Sequence, residues 1–344
     1  MPGRLAQAVL PVSSPPERPV APETRRWTVK DVLLWTTSRF EERGLATPRL
    51  DAEVLTAHAL GLPRLQLYVQ FDRPLSPDEL AAIRESVKRR QAGESVAYVV
   101  GKKEFWGLAL AVDARVLVPR PDTETLVGEA HDRVGHAPRA RPRRLADADT
   151  QAQAAGAGAA EPGAAEAGPE PARPSRPAPR IADVGTGSGA IAIALAKERP
   201  DATVFAVDVS PDALAVARAN AERLGAAVTF LEGDLAAPLA ALAPFDVIVA
   251  NLPYVRTGDL AGLAPEVRAE PALALDGGAD GLALVRRLVA AAPALLAPGG
   301  ALALEIGVGQ AAETARLCAA SGLADVRIVR DLGQIERVVS AVRP

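Results

Sequence analysis

The sequence predicts an α/β protein: a doubly wound, mostly parallel sheet ending in an antiparallel C-terminal hairpin, preceded by a small N-terminal helical bundle. Three observations carry that expectation. From Arg180 onward, short apolar runs alternate with helical patterns, the arrangement that packs helices on both faces of a parallel sheet. The first run leads into Asp183-Val184-Gly185-Thr186-Gly187-Ser188-Gly189, a glycine-rich turn that opens a helix. At the far end two strand patterns follow each other with no helix between them, so they are expected to pair as an antiparallel hairpin at the sheet edge. Such a hairpin distinguishes the Rossmann-like sheet of SAM-dependent (S-adenosylmethionine) methyltransferases from that of a dinucleotide-binding domain, so the former is expected.

Residues 1–25 are rich in proline and arginine and read as a disordered tail, with prolines where a signal peptide needs an apolar core. Residues 26–93 read as a helical domain. Val29, Val32, Leu33, Trp35 and Phe40 recur at helical steps, as do Leu50, Val54, Leu55, Ala57 and His58. Ser76-Pro77-Asp78-Glu79 opens another helix, with a serine cap, a proline in the first turn and Glu79 placed to close a capping box. Residues 94–134 are expected to hold a hairpin and a connecting helix. Tyr98-Val99-Val100-Gly101 and Leu108 to Val112 alternate like strands around Lys102 to Gly107, and Leu117 to Glu124 leads into a helix to about Arg133. Residues 135–179 are almost entirely Ala, Gly, Pro, Glu and Arg, too poor in large apolar side chains to offset the entropy of ordering, so a disordered insert is expected. In residues 180–344, strands are expected at 180–184, 203–207, 227–231, 245–250 and 301–306, with helices at 189–198, 211–224, 280–296 and 310–321. The closing strands fall near 325–329 and 335–342.

Composition narrows the function. The 344 residues suffice for two domains, each with its own core. A net charge of -3 gives no global positive field to draw the chain to nucleic acid. Cys318 is the single cysteine, which excludes an internal disulfide and a multi-cysteine metal site and fits a reducing, cytoplasmic setting. It lies in a helical pattern and reads as a small core residue. His58, His131 and His136 fall in separate segments without ligand spacing, so neither a metal site nor a Ser-His-Asp triad is expected. No run approaches the ~18 apolar residues of a membrane span. Nothing demands more than a monomer.

The glycine turn is where a nucleotide-like cofactor is expected. Gly185, Gly187 and Gly189, with Thr186 and Ser188 between them, let the backbone turn tightly and approach a ligand. Asp208 closes the next strand and can accept both ribose hydroxyls, which either SAM or NAD offers. Gly185-x-Gly187-x-x-Ala190 even satisfies the dinucleotide pattern. Asp234, in Glu232-Gly233-Asp234-Leu235, favours SAM: an acid at that strand end is placed to accept from an adenine amine, with Leu235 against the ring.

The apolar run Phe245 to Ala250 ends in Asn251-Leu252-Pro253-Tyr254. An amide or aromatic amine is a poor nucleophile because its lone pair is delocalised. Asn251 offers a side-chain carbonyl and Leu252 a backbone carbonyl, which together can accept from both N–H groups and aim the lone pair at a sulfonium methyl. Pro253 stiffens the loop and Tyr254 offers a flat face for stacking. These residues read as a catalytic and substrate-binding constellation for methylating a planar nitrogen, with Asn251 also beside the cofactor.

Several runs together resemble one family. They are Arg89-Arg90-x-x-Gly93-Glu94, Tyr98-x-x-Gly101, Glu104-Phe105-Trp106-Gly107, Pro119-Arg120-Pro121-Asp122-Thr123-Glu124, the glycine turn and the Asn-x-Pro-Tyr tetrad. With Arg330-Asp331-Leu332-x-x-Ile335-Glu336-Arg337-Val338, they resemble the HemK/PrmC family of release factor glutamine methyltransferases from about Trp27 to the end, outside 135–179. The resemblance implies that the glutamine of the Gly-Gly-Gln loop of class-1 peptide release factors receives a methyl group from SAM. It also implies that Asn251 to Tyr254 grip that side chain and that the helical domain docks the release factor. The glycine turn, Asp208, Asp234 and Leu235 would hold SAM, and Phe105, Arg120, Pro121, Thr123 and Glu124 would line the entrance.

The chain departs from the family pattern in three places. Leu252 stands where the family usually has proline, Leu235 where an aromatic often sits, and the low-complexity insert is long. Asn-Leu-Pro-Tyr is also the tetrad of ribosomal RNA adenine dimethyltransferases, but those lack the Arg-Pro-Asp-Thr-Glu run and carry their accessory helices after the sheet. A DNA adenine methyltransferase fails on charge and has no target-recognition segment here. A non-catalytic SAM-binding scaffold is disfavoured by the intact Asn251 and Tyr254, and an NAD oxidoreductase by the lack of a hydride-transfer acid or base.

Overall fold

A computed structural model describes residues 26–134 and 178–344, so the expected tail and nearly all of the expected insert lie outside the described residues. The chain divides into a compact unit ending at Val87 and a second running from Lys88 to Pro344.

In the first unit α1 (Val29–Glu41) is followed by α2 (Pro48–Ala59), α3 (Arg64–Val69) and α4 (Pro77–Gln91), the last running past the unit's end. Local chemistry sets the starts. Thr28 and Asp31 form a reciprocal capping box on α1, with Asp31 N donating to Thr28 Oγ1 at 3.2 Å and Thr28 N to Asp31 Oδ2 at 3.0 Å. The box expected at α4 is present: Ser76 N donates to Glu79 Oε2 at 2.8 Å and Glu79 N to Ser76 Oγ at 3.2 Å. Val29, Val32, Leu33, Phe40, Ala52, Leu55 and Leu67 make the core, while Trp35 and Leu50, apolar positions of the same helices, stay exposed.

The second unit opens with a correction. Tyr98-Val99-Val100 is not a strand but part of α5 (Val96–Val100). Ser95 Oγ accepts from Tyr98 N at 3.2 Å to start the helix, and Gly101 ends it in the left-handed region at φ +74°. Over four residues a helical turn and a buried strand share the same apolar pattern, so periodicity could not separate them. The hairpin exists but begins later, with β1 (Lys102–Phe105) antiparallel to β2 (Leu108–Ala111). Its two-residue turn, Trp106-Gly107, has positive φ at both positions (+52° and +71°), as a type I′ turn requires. A single 3₁₀ turn, Pro121–Thr123, then leads into α6 (Glu124–Arg133).

From residue 178 onward come β3 (Arg180–Val184), α7 (Ala190–Glu198), β4 (Thr203–Asp208), α8 (Pro211–Leu224), β5 (Val228–Glu232) and β6 (Phe245–Ala250). They are followed by α9 (Pro265–Arg268), α10 (Ala283–Leu295), β7 (Leu296–Glu305), α11 (Ala311–Ala320), β8 (Ala324–Arg330) and β9 (Glu336–Val342). The seven-stranded sheet has the order β5-β4-β3-β6-β7-β9-β8, parallel from β5 to β7. β9 inserts antiparallel between β7 and β8, which puts β8 at the edge. β7 starts at Leu296, earlier than expected, because Leu296 pairs with Phe245 across an irregular register.

The central strands alternate between two cores. Ala182, Val184, Ile248 and Ala250 face α10, meeting Val285, Leu288 and Ala292. Ile181, Val247 and Val249 face the other way, toward Leu126 and Val127 of α6 and Ile191 and Leu195 of α7. Strand order reverses between β3 and β6, so a crevice opens at their carboxyl ends, where ligands bind in sheets of this kind.

Candidate active site

A cavity of about 360 Å³ occupies that crevice. Its wall includes Gly185, Thr186, Gly187 and Ser188 after β3, Asp208 at the end of β4, Asp234 and Leu235 after β5, and Asn251, Leu252 and Pro253 after β6. Arg120 and Thr123 reach it from the segment before α6.

The glycine turn is built by its neighbours. Gly185 sits at φ +76°, and a Cβ there would lie 3.2 Å from Leu252 Cδ2. The glycine turn and the Asn-Leu-Pro-Tyr loop are thus packed directly against each other. Gly185 N and Thr186 N both donate to Val207 O, at 2.8 and 3.0 Å. Asp208 Oδ2 accepts from Gly187 N at 2.8 Å and Oδ1 from Ser210 N at 2.9 Å, so this carboxylate ties the turn to its own strand end. Gly189 does not line the cavity. Its φ is +82°, and a Cβ there would meet Ala217 Cβ at 3.2 Å, so it serves the close packing of α7 on α8.

Behind the turn lies an acid that sequence reasoning quoted without a role. Asp183 is buried; its Oδ2 accepts from Thr186 Oγ1 at 2.7 Å and from Ala192 N at 3.1 Å. Burial pushes its carboxyl up to about 7 despite those bonds.

At the opposite wall Asp234 is exposed and its Oδ2 pairs with Arg287 of α10. Leu235 holds a left-handed φ of +49° and packs partly against the sheet core, with Leu284 of α10 also in the wall. This end is apolar with one charged pair.

Arg120 is pinned by Glu270, whose buried carboxylate accepts at 2.6 Å and also takes Val118 N at 3.3 Å. Burial raises the Glu270 carboxyl above the ordinary range, against the pull of Arg120. The other expected entrance residues are placed differently. Phe105 is buried in the core against α6 and α7, Pro121 stays out of the wall, and Glu124 Oε1 accepts from Trp106 N at 3.1 Å.

At the chemical end Leu252 is 3% exposed, its side chain turned into the core. Asn251 Nδ2 donates to Thr123 Oγ1 at 3.2 Å. Of the Asn-Leu-Pro-Tyr loop, the first three residues line the cavity and Tyr254 does not. Tyr254 lies just beyond, its phenol raised above its usual pKa chiefly by burial and held at the backbone by Gln310 Nε2, which donates to Tyr254 O at 3.1 Å. Glu305, buried at the end of β7, faces Thr123 and Asn251, and burial lifts its carboxyl to about 7. Glu270, Arg287, Gln310 and Glu305 had no assigned role in the sequence. A single acid at the end of the apolar run Leu302 to Ile306 was the available signal for Glu305.

A tight glycine turn that lets a ligand approach the backbone, a strand-end carboxylate and an apolar wall suit a sulfonium-bearing nucleoside such as SAM. The comparisons with known proteins agree. A family model for the PrmC N-terminal domain matches residues 31–101, and one for a methyltransferase domain matches 181–269. The release factor glutamine methyltransferase of Geobacter sulfurreducens is 43% identical over 314 residues, covering 91% of this chain and 96% of that protein. The chain belongs to the release factor glutamine methyltransferase family. The relatives of the same name from Rhodopirellula baltica and Chlorobaculum tepidum are each 38% identical, over 91% and 93% of this chain and 96% and 99% of theirs. Among solved structures the hMettl16 catalytic domain, in complex with an RNA hairpin, aligns with a TM-score of 0.50 at 14% identity, covering 73% of this chain and 81% of that one, a likeness of fold alone. SAM is the methyl donor of this family member, and its fold is the Rossmann-like methyltransferase sheet expected. Among the described residues no helix is long and apolar enough to cross a membrane.

Proposed function

We propose that this chain methylates the side-chain amide nitrogen (N5) of the glutamine in the Gly-Gly-Gln loop of a class-1 peptide chain release factor. The observation that carries the reading is the placement of Asn251, Leu252 and Pro253 in the wall of the same cavity that the glycine turn lines, with Leu252 packed on Gly185. Asn251 Oδ1 and the Leu252 carbonyl accept from the two amide N–H groups, so the nitrogen lone pair is directed at the cavity. Pro253 limits how far that loop can relax. Tyr254, next along the loop, offers a flat ring for stacking on the amide.

Bound SAM supplies a methyl on a positively charged sulfur, already activated for transfer. The nitrogen gains that methyl and loses one proton to solvent, so the residues around it need only orient and desolvate. Asp208 holds the glycine turn closed and presents its carboxylate to the ribose, and Arg120, fixed by Glu270, supplies the positive charge of the wall. Leu235 and Leu284 give the adenine an apolar face, with Asp234 as acceptor at its rim.

We assign release factor docking to the helical unit, which exposes Leu34, Trp35, Leu65 and Val69. The enzyme is taken to act in the cytoplasm as a monomer, with no nucleic acid as direct target, in keeping with its net charge of -3. Incubation with labelled SAM and either a release factor or its loop Gln→Ala variant tests the reading. Label on the wild-type factor alone supports it; label on ribosomal RNA or DNA overturns it.

A further inference from the structure

An asparagine carboxamide is nearly symmetric in shape, so the groups around it decide which end points where. For the proposed reaction only one orientation works: Oδ1 must face the substrate amide, because Nδ2 cannot accept its N–H. The structure shows what lies at the other end. Nδ2 of Asn251 donates to Thr123 Oγ1 at 3.2 Å, and the buried carboxyl of Glu305 lies beside both side chains, which pull its pKa down against the effect of burial.

We propose that Glu305 is a positioning residue that, through Thr123, sets the end of the Asn251 carboxamide presented to substrate. This rests on the reading of Asn251 given above. An ionised carboxylate only accepts. It therefore takes the Thr123 hydroxyl proton and leaves that oxygen's lone pair for Asn251 Nδ2, so the polarity of the chain runs one way from Glu305 to the substrate. Glu305 comes from β7, Asn251 from the loop after β6 and Thr123 from the 3₁₀ turn before α6, so three separate elements lock one amide. Glu305 is absent from the cavity wall and acts only through its neighbours. The remaining charged or titratable groups that face it are Arg337 on β9, Asp122 beside Thr123, and Tyr254. Arg337 is engaged by Asp331 and Asp122, each at 3.2 Å, and Glu305 Oε2 has no hydrogen-bond partner.

A buried acid with one unpartnered oxygen is costly to keep, and a purely structural role would be served better by a neutral amide. That separates the two explanations. Once Glu305 is protonated, or replaced by glutamine, it can donate to Thr123, which then donates to Asn251 and turns the carboxamide the wrong way. With its carboxyl lifted to about 7, activity is expected to fall as pH drops through that range. Over the same range folding stability moves oppositely. A raised folded-state pKa stabilises at low pH, and that contribution is lost as pH rises toward about 7.

The experiment compares Glu305→Gln, Thr123→Val, Thr123→Ser and Asn251→Ala on a release factor substrate. Glu305→Gln is expected to lower kcat about tenfold or more while the SAM Kd stays within about twofold. Its thermal midpoint at about pH 8 should not fall below wild type, and the acid limb of its kcat profile should flatten. Thr123→Val should reproduce the kcat loss and Thr123→Ser should recover most of it. Wild-type kcat and an unchanged pH profile in Glu305→Gln would overturn the proposal. Should that variant not fold, equal kcat in the Ser and Val variants of Thr123 would overturn it instead. If Asn251→Ala itself retained full transfer, the reading of Asn251 would fail first; a dead Asn251→Ala beside a normal Glu305→Gln removes the positioning role alone.

Discussion

Asn251 and Asp208 are assigned neighbouring roles in the proposed function, substrate orientation and cofactor binding, and substitution should separate them. Asn251 touches the cavity and Thr123 but makes no bond to the glycine turn. Asn251→Ala should therefore cut methyl transfer by about 10²–10³-fold while the SAM Kd, measured by calorimetry, changes little. Asp208→Ala removes the acceptor of Gly187 N and Ser210 N, so the SAM Kd should rise by about tenfold or more, with kcat at saturating SAM less affected. Equal loss of binding and rate in both variants would mean that the roles are misassigned. At this scale the residue types were legible because each is a local signature: glycines before a helix, an acid at a strand end, a polar-Pro-aromatic loop. The side chain of Leu252 was not. A proline there would restrain φ, whereas the structure shows the leucine packed on Gly185 and in the core, with contact in place of stiffness.

Elements were legible where a reciprocal capping box or a pattern much longer than one turn marks them. The strand and helix pattern of 180–344 held because it repeats over many residues, and the α4 start held because Ser76 and Glu79 cap it. The 98–101 segment failed because four apolar residues do not define a period, and the Ser95 cap with Gly101 behind it was the overlooked signal. Ser95→Ala should cost about 1 kcal/mol of stability in urea titration, the usual worth of a lost cap. Gly189→Val should cost more, about 1–3 kcal/mol from overpacking alone, because its Cβ would press on Ala217 and Ile193 of the α7–α8 contact. A neutral Gly189→Val would show that the two helices separate freely.

At the scale of the whole molecule, the described residues outside 136–178 already line a continuous cavity, and loop closure costs grow slowly with length. Deleting that segment should leave kcat within about twofold, whereas a folded but inactive product would give the insert a function. Two buried acids, Asp183 and Glu305, both lifted to about 7, add a pH signature. Each is raised in the fold, so its stabilising contribution is full below about pH 4 and is lost as pH rises to about 7. In Asp183→Asn the decline of the denaturation midpoint over that window should be shallower than in wild type.

The sequence by itself determined the fold class and marked the glycine turn and the Asn-Leu-Pro-Tyr loop, because strand period, glycine turns and loop chemistry act over a handful of neighbouring residues. Only the tertiary structure decided which groups face one another across the carboxyl edge. Asn251 meets Thr123 from 128 positions away, Arg120 meets Glu270 from 150, and Asp234 meets Arg287 from 53. It also placed β9 between β7 and β8, which brings Arg337 beside Asp122. Such pairings depend on the order in which strands assemble, and strand order is settled by burial of both sheet faces at once, not by any local run of residues.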